Sequence, residues 1–141
     1  MQSVHIGLIS AMPEEIENFL QHLSNIKTTT YGDLNIYNGF WNLDKEINFG
    51  VNISLVWSGW GKVSASRAIT RLISHSENKS PIDLILFTGV AGGANSVLKQ
   101  WDIIIADEIV QYDMDASPLF DKFVIPALNK ALMRPNIDNI N

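Results

Sequence analysis

The sequence predicts an α/β protein with a mixed central β-sheet flanked by helices. Three features favour this class: apolar runs of strand length, two segments with apolar residues at helical spacing, and glycine turns after predicted strands. A length of 141 residues suits about one domain. The predicted order is strand, helix, strand, strand, helix, strand, strand.

The first strand and the first helix are predicted from a change of pattern near the N-terminus. Residues 4–9 form an apolar run, and Pro13 then suits a first helical turn because it has no N–H to satisfy. Apolar residues recur at helical spacing, at Ile16, Phe19, Leu20 and Leu23. This spacing predicts an amphipathic helix over residues 13–24.

A pair of strands and a second helix follow. Residues 31–40 and 47–57 have strand character, and the polar turn around residues 42–45 predicts that these strands pair antiparallel. After a glycine-containing turn, apolar residues at helical spacing predict a helix over residues 62–76.

The last predicted strands are residues 82–87 and 103–112. Because residues 82–87 are almost all apolar, they are typical of a strand buried on both faces at the centre of an α/β sheet. Such a strand needs cover on both faces, yet only two helices are well patterned, so we expect a partner chain or a larger domain. In the tail, residues 133–141 are predicted to be loop, and a short helix is predicted from Ile125, Leu128 and Leu132.

Composition and charge exclude several classes of protein. The net charge of −5 and the absence of a basic cluster disfavour nucleic-acid binding. The absence of cysteine excludes disulfides and thiolate chemistry. No apolar stretch approaches the roughly 20 residues needed to span a bilayer, and residues 1–8 do not resemble a signal peptide. We therefore predict a cytoplasmic protein that binds neither nucleic acid nor membrane.

The candidate chemistry lies in turns that follow predicted strands. Glu14 and Glu15 are either surface acids that match a helix dipole, which the residues alone favour, or a carboxylate in a ligand crevice that activates water. The glycines of residues 89–93 indicate either a tight left-handed turn or close approach of the backbone to a ligand. Residues 58–62 are either a plain strand-to-helix turn or an anion site, and Trp60 either packs or stacks on a planar ligand.

No metal or cofactor motif is present. The acidic residues Asp107, Glu108, Asp113 and Asp115 lack the spacing of a calcium loop. The three histidines, at positions 5, 22 and 75, are scattered and are predicted to be structural or exposed. The glycine turn matches neither the dinucleotide fingerprint nor a P-loop.

The order of these motifs resembles the methylthioadenosine/S-adenosylhomocysteine nucleosidase family over residues 4–117. The matching segments are IGLISAMPEE (6–15), SGWGKV (58–63), TGVAGG (88–93), WDIIIADE (101–108) and DMD (113–115). The resemblance implies a nucleoside phosphorylase-like fold that is incomplete here, with residues 1–117 as its N-terminal part and 118–141 as a divergent tail of loop or short helix. It also implies a cytoplasmic homodimer of methionine salvage and nucleoside catabolism.

The resemblance implies hydrolysis of the N-glycosidic bond of methylthioadenosine or S-adenosylhomocysteine, releasing adenine without a cofactor or metal. Glu15 is then the water-activating carboxylate, which also stabilises the positive charge that develops on the sugar. The implied substrate-binding residues are Met12 beneath the ribose, Trp60 beside the pocket, and Val90, Ala91 and Gly92 along the ribose and base.

Departures from the family pattern leave alternatives open. Val90 stands where the family has Ser or Thr, Trp60 replaces a smaller residue, and Trp101 replaces a Gly, where a positive φ would strain a Trp. No segment matches those that supply the family's ribose-binding glutamate and proton-donating aspartate, so hydrolysis is expected to be impaired. The alternatives are a catalytically inactive nucleoside-binding homologue, or a nucleoside phosphorylase, which the lack of phosphate-binding arginines disfavours.

Overall fold

The computed structural model describes residues 4–44, 46, 49–77 and 79–135. These residues form two compact units, a first unit of Met1–Gly92 and a second unit of Gly93–Asn141. The predicted α/β class, with a mixed sheet and flanking helices, is confirmed in the first unit. The assignment of residues 1–117 to one family-like domain, with a divergent tail from 118, stays a prediction.

The first unit is built on a five-stranded sheet with the strand order β2-β3-β4-β1-β5. The strands are β1 (His5–Ser10), β2 (Leu23–Tyr31), β3 (Leu34–Asp44), β4 (Phe49–Trp57) and β5 (Leu84–Phe87). Strand β1 runs parallel to both β4 and β5, whereas β3 is antiparallel to β2 and β4. The predicted antiparallel pair is therefore confirmed as β3 and β4. The predicted turn around residues 42–45 was placed too early, because β3 continues to Asp44 and its Asn42 and Asp44 pair with β4. Most of the actual turn lies outside the described residues.

Helical segments cover both faces of this sheet. Helix α2 (Lys62–Ser76) has the predicted bounds, and its Ala68 and Leu72 are fully buried in a cluster with Ile9 and Val56. The opposite face is covered by α1 (Pro13–Ile16) and a 3₁₀ helix (Glu17–His22). Neighbouring side chains of a strand point to opposite faces of the sheet. Leu8 therefore packs on the face covered by α1 and the 3₁₀ helix, and Ile9 packs on the face covered by α2. None of the described helices is long and apolar enough to cross a membrane.

The helix predicted over residues 13–24 was too long. The α-helix stops at Ile16, and the chain continues as the 3₁₀ helix before Leu23 opens β2, a strand that was not predicted. Leu23 is buried opposite Trp41 of β3, and Phe19 meets the same ring edge-on at 5.3 Å. The apolar residues at helical spacing therefore pack into one core cluster that includes Trp41, and these tertiary contacts override the helical pattern.

The strand predicted at the centre of the sheet lies at its edge. Strand β5 pairs only with β1 among the described residues. Its Ile85, Leu86 and Phe87 are 38%, 42% and 67% exposed. An apolar run predicts burial on both faces, and the described residues of this unit do not supply that cover.

The second unit contains turns and little regular structure. Strands β6 (Ile109–Val110) and β7 (Leu132–Met133) form a two-stranded antiparallel sheet. The strand predicted over residues 103–112 is thus reduced to two residues, and the short helix predicted from Ile125 to Leu132 is replaced by turns and an isolated bridge from Ile125 to Lys130. Ile103 and Ile105 are more than 90% exposed, so no burial stabilises a longer strand.

The backbone at Trp101 adopts the left-handed conformation that the sequence raised as a source of strain. Its φ is 78° and its side chain is 88% exposed. Left-handed backbone costs a non-glycine residue about 1–2 kcal/mol, which a glycine at this position would not lose. Glycine has a greater entropy in the unfolded state, and this cancels about 0.5–1 kcal/mol of that gain in stability. We therefore expect Trp101→Gly to raise the free energy of unfolding by about 0.5 kcal/mol in urea titrations followed by far-ultraviolet circular dichroism.

The matched control is Trp60→Gly. Trp60 is also exposed, at 79%, but it is not among the residues with positive φ. This variant should lower the free energy of unfolding, because glycine then brings only its entropic cost. Equal destabilisation by the two substitutions would contradict the strain at position 101.

Candidate active site at the carboxyl edge of the sheet

Three parallel strands end together at one edge of the first unit's sheet. Because β4, β1 and β5 are neighbours that run in the same direction, the chain leaves all three on the same side. The loops that follow them are residues 11–12, 58–61 and 88–92, which include the turns singled out from the sequence. Open α/β sheets bind ligands at this edge. The structure therefore brings the predicted segments to one place.

Backbone hydrogen bonds continue the parallel ladders into these loops. The pairs are Ser58 N–H to the Ser10 carbonyl at 2.9 Å, Gly59 N–H to the Ala11 carbonyl at 3.0 Å, and Thr88 N–H to the Ile9 carbonyl at 2.9 Å. Each loop is consequently fixed in register with the strand beside it. A site built on them has a rigid base even where its side chains are exposed.

The carboxylate of Glu15 joins the first and third loops. Its Oε2 accepts hydrogen bonds from the backbone N–H groups of Ala11 and Met12, both at 3.0 Å. Its Oε1 accepts a third from the backbone N–H of Val90, also at 3.0 Å. Glu15 stands at the third position of α1, where a carboxylate commonly caps the first turn. The contact with Val90 is not part of helix capping. It holds the Glu15 side chain against the third loop, at the carboxyl edge of the sheet.

The charge state of Glu15 follows from these contacts. The hydrogen bond from the Val90 backbone is the largest influence and lowers the pKa of the carboxyl below its ordinary value of 4.5, partial desolvation opposes it, and the Met12 and Ala11 amides add to the lowering. The side chain is therefore ionised at neutral pH. A carboxylate has about four lone-pair positions, so three amide donors leave room for one more donor, such as a water molecule.

Gly89 makes this arrangement possible. A Cβ built at Gly89 would lie 2.6 Å from Oε1 and 2.8 Å from Cδ of Glu15, closer than real Cβ contacts come. Gly89 does not have a positive φ, so the tight left-handed turn is not the reason for glycine here. The glycine instead allows close approach, and the group that approaches is a side chain of the protein itself.

The remaining predicted substrate-binding residues surround this carboxylate to different degrees. Met12 is half-buried, and its carbonyl accepts a hydrogen bond from Ser10 Oγ at 2.9 Å. The Val90 side chain is 83% exposed while its amide is held by Glu15. Glu15, Met12 and Val90 are thus in direct contact through hydrogen bonds.

Trp60, Ala91 and Gly92 lie in the loops of the same edge and have no described contact with Glu15. All three are exposed, and the backbone on either side of Trp60 is left-handed, at Gly59 and Gly61. Their roles in binding stay predictions.

Two participants were not among the predicted site residues. The Ala11 backbone amide and Gly89 both position Glu15, and neither has a side chain that carries chemistry. The signal was present in the short segment joining the first strand to Glu15 and in the first glycine of the 89–93 turn. What could not be seen is that the two segments meet.

The acidic residues of the second unit show no arrangement for a metal. Glu108 pairs with Arg134, and the pKa of Asp115 is lowered by hydrogen bonds from Ser117. Within the described part of the chain, no three His, Asp or Glu side chains are grouped to hold a metal ion.

The lowered pKa of Glu15 predicts a pH effect on stability. A carboxyl whose pKa is lower in the folded state stabilises the fold above its unfolded pKa, and this contribution is lost as the pH falls through the folded value. We expect urea titrations between pH 6 and pH 3 to show a steeper loss of stability below 4.5 in the wild-type chain than in Glu15→Gln. Asp33 and Asp115, whose pKa values are also lowered, act equally in both proteins. Superimposable pH profiles would show that the three amide contacts do not form.

Comparison with known proteins places the chain in a family. A sequence model of the phosphorylase superfamily matches residues 5–137, and the chain belongs to that superfamily. Within it, the predicted resemblance to methylthioadenosine/S-adenosylhomocysteine nucleosidases is confirmed by solved structures.

Three of these structures define the likeness. The nucleosidase of Colwellia psychrerythraea in complex with adenine is 29% identical with a TM-score of 0.83, and the match covers 99% of this chain and 53% of that one. The S-adenosylhomocysteine nucleosidase of Streptococcus pyogenes in complex with 5-methylthiotubericidin is 26% identical with a TM-score of 0.83, covering 99% and 55%. The nucleosidase of Neisseria meningitidis in complex with methylthio-immucillin-A is 26% identical with a TM-score of 0.81, covering 95% and 53%. The chain spans about half the length of these relatives.

Proposed function

We propose that this chain supplies the water-activating side of an active site that hydrolyses the N-glycosidic bond of adenine nucleosides such as methylthioadenosine and S-adenosylhomocysteine. The observation that carries the proposal is the ionised Glu15 carboxylate, held by three backbone amides at the carboxyl edge of the sheet. The family supports it, since relatives have been solved with adenine and with nucleoside analogues.

The chemistry requires a carboxylate in this state. As the bond from the ribose C1′ to the base nitrogen breaks, its electron pair leaves with the base and positive charge develops on the sugar. An ionised carboxylate beside C1′ stabilises that charge and orients a water molecule, whose oxygen bonds to C1′ while its proton passes to Glu15. The remaining lone-pair position of Glu15 is suited to hold that water.

The leaving base must also gain a proton. The family's aspartate for this step has no counterpart among the motifs of residues 1–141, so an assay of these residues by themselves relies on solvent for the proton. The absence of a positioned acid typically lowers a rate by about 10²- to 10⁴-fold. We therefore expect slow turnover from the chain alone.

Hydrolysis is favoured over phosphorolysis by the character of the loops. The first and third loops, with the residue on either side of them, present Met12, Pro13, Phe87 and Val90 and contain no arginine. Phosphate carries a strongly hydrated double charge, and an apolar wall does not replace its water. The arrangement fits a neutral water molecule as the nucleophile.

The same proposal includes a polypeptide partner for the sheet. Among the described residues β5 pairs with no strand other than β1, and its apolar side chains are exposed. Soluble proteins normally cover such an edge. A homodimer, a cytoplasmic location and a role in methionine salvage are further parts of the proposal that rest on the family resemblance.

The experiment is an adenine-release assay on the purified chain with methylthioadenosine and S-adenosylhomocysteine, in buffers with and without phosphate. We expect slow release of adenine and the free thioribose at the same rate in both buffers. Release that requires phosphate and yields a sugar phosphate would identify a phosphorylase instead. Nucleoside binding in calorimetry without any release would identify a binding protein, and the absence of both binding and release would overturn the proposal.

A further inference from the structure

A cavity lies at the end of the first unit's sheet opposite the loops around Glu15. It has a volume of about 510 Å³ and lies between the amino end of β1, the β2–β3 ribbon and the C-terminal end of α2. This volume is within the range of about 300–1,000 Å³ typical of small-molecule sites. The chemistry-bearing residues that line it are His5, Lys27, Asn38, Ser54, His75 and Lys79.

The floor of this cavity consists of buried polar side chains that are joined by hydrogen bonds. His5 is 6% exposed and Ser54 is 1% exposed. The ring of His5 contacts the Ser80 carbonyl through Nδ1 at 2.6 Å and Ser54 Oγ through Nε2 at 2.8 Å. Ser54 Oγ donates in turn to Asn38 Oδ1 at 2.6 Å. Buried polar groups joined in this way hold one another in fixed positions.

The hydrogen bonds continue to a second histidine. The Asn38 amide nitrogen donates to His75 Nε2 at 3.3 Å, and His75 Nδ1 contacts the Tyr31 hydroxyl at 2.8 Å. The chain of contacts therefore runs from β1 through β4 and β3 to α2 and β2. His5 and His75, two of the three histidines that were predicted to be structural or exposed, belong to it.

The charged side chains that line the cavity are those of lysines. Burial is the largest influence on the pKa of His75 and lowers it, and the positive charges of Lys79 and His5 lower it further. Lys27 lines the β2 side. None of the described residues that line the cavity is acidic, although the chain as a whole has a net charge of −5. The local field is therefore positive in an acidic protein.

We propose that this cavity binds a small dianion of the phosphate class, either free phosphate or the phosphate group of a small ester. Lys27 and Lys79 line one open volume together with the titratable ring of His75, and a double negative charge balances the two lysines better than a single carboxylate does. This site lies at the end of β1 away from Glu15, and it does not depend on the proposed nucleosidase chemistry.

The groups that face His75 set the expected pH dependence. The basic groups are His5 in β1, Lys27 in β2, Arg71 in α2 and Lys79 after α2. Tyr31 of β2 lies beneath Arg71, whose guanidinium carbon is 4.6 Å from the centre of the tyrosine ring. The acidic group is Asp83, whose carboxylate accepts the His5 backbone N–H at 2.8 Å. His75 accepts a hydrogen bond from Asn38 and is neutral in the free protein. A bound dianion stabilises its protonated form, so binding and protonation strengthen each other.

The test uses sulfate as a probe, because its charge is constant between pH 6 and pH 8, and inorganic phosphate and ribose 5-phosphate as further probes. Calorimetry at low salt should show saturable sulfate binding that is about 10-fold tighter at pH 6 than at pH 8. Tighter binding of ribose 5-phosphate than of phosphate would assign the site to esters, and equal binding would assign it to the free anion. Nuclear magnetic resonance should show the pKa of His75 rising when sulfate is added.

Matched variants separate this site from general charge effects. Lys79→Gln and His75→Gln should each weaken sulfate binding about 10-fold. Lys99→Gln, which removes one positive charge from the second unit, should leave binding unchanged. Equal weakening by Lys79→Gln and Lys99→Gln would indicate an adventitious ion only and would overturn the proposal, as would the absence of saturable binding in the wild-type chain.

Discussion

Replacing Glu15 with Gln is expected to slow adenine release from methylthioadenosine by about 10²- to 10⁴-fold. The amide of Gln retains the size of the side chain but removes the negative charge that stabilises the sugar cation and the base that takes a proton from water. Because the lost interaction acts on the reacting water, we expect the rate to fall while nucleoside affinity changes little. Single-turnover adenine release and calorimetry with methylthioadenosine measure the two quantities separately.

The control for this substitution is Glu14→Gln. Glu14 is the preceding residue of α1 and its side chain is exposed. It carries the same charge and occupies the same short helix, so the variant controls for net charge and for the helix dipole. The Glu14 variant should release adenine at the wild-type rate. Equal effects of the two substitutions, or a loss of affinity in place of rate, would contradict the assignment of Glu15 as the base.

The elements that could be predicted from sequence are those whose pattern is produced locally. Helix α2 has the predicted bounds because its apolar residues repeat over several turns on one face, against β1 and β4. The β3–β4 pair was recognised from a polar turn between two strand-like runs. In both cases the residues that form the element also carry the signal.

The elements that were mispredicted depend on contacts between distant residues. Strand β2 is polar and mostly exposed, so its sequence shows no alternation of apolar and polar residues. The strand forms because β3 pairs with it. Strand β5 was placed in the centre of the sheet because its apolar composition predicts burial on both faces. The described residues do not cover it on both faces, and most of its side chains are exposed. Neither fact can be obtained from the segment itself.

The candidate site shows the same division. The residues alone left Glu15 as one of two neighbouring acids and favoured a surface role for both, and only the order of the motifs selected it. The structure adds that the Val90 amide is the largest influence lowering the pKa of Glu15. This contact joins residues 75 positions apart, a separation that no local pattern reports.

Gly89→Ala is expected to displace the Glu15 carboxylate and to lower adenine release by about 10²-fold, which is the scale of a 1 Å misplacement of a catalytic group. The added methyl would lie 2.6 Å from Oε1, so the carboxylate has to move away from the Val90 amide. Because that amide is the largest influence lowering the pKa of Glu15, the pKa should rise toward its ordinary value. Carbon-13 resonance of the Glu15 carboxyl measures this change without any need for turnover.

The control for Gly89→Ala is Gly93→Ala, which adds the same methyl four residues further along. A Cβ at Gly93 would meet only Leu98 Cβ at 4.0 Å, an ordinary contact, so the pKa of Glu15 should stay lowered in this variant. A double-mutant cycle makes the argument specific, because Gly89→Ala should have little further effect on adenine release once Glu15 is already Gln. If Gly89→Ala leaves the Glu15 resonance and its titration unchanged, the carboxylate does not rest against this glycine, and the contact that joins the two loops does not exist.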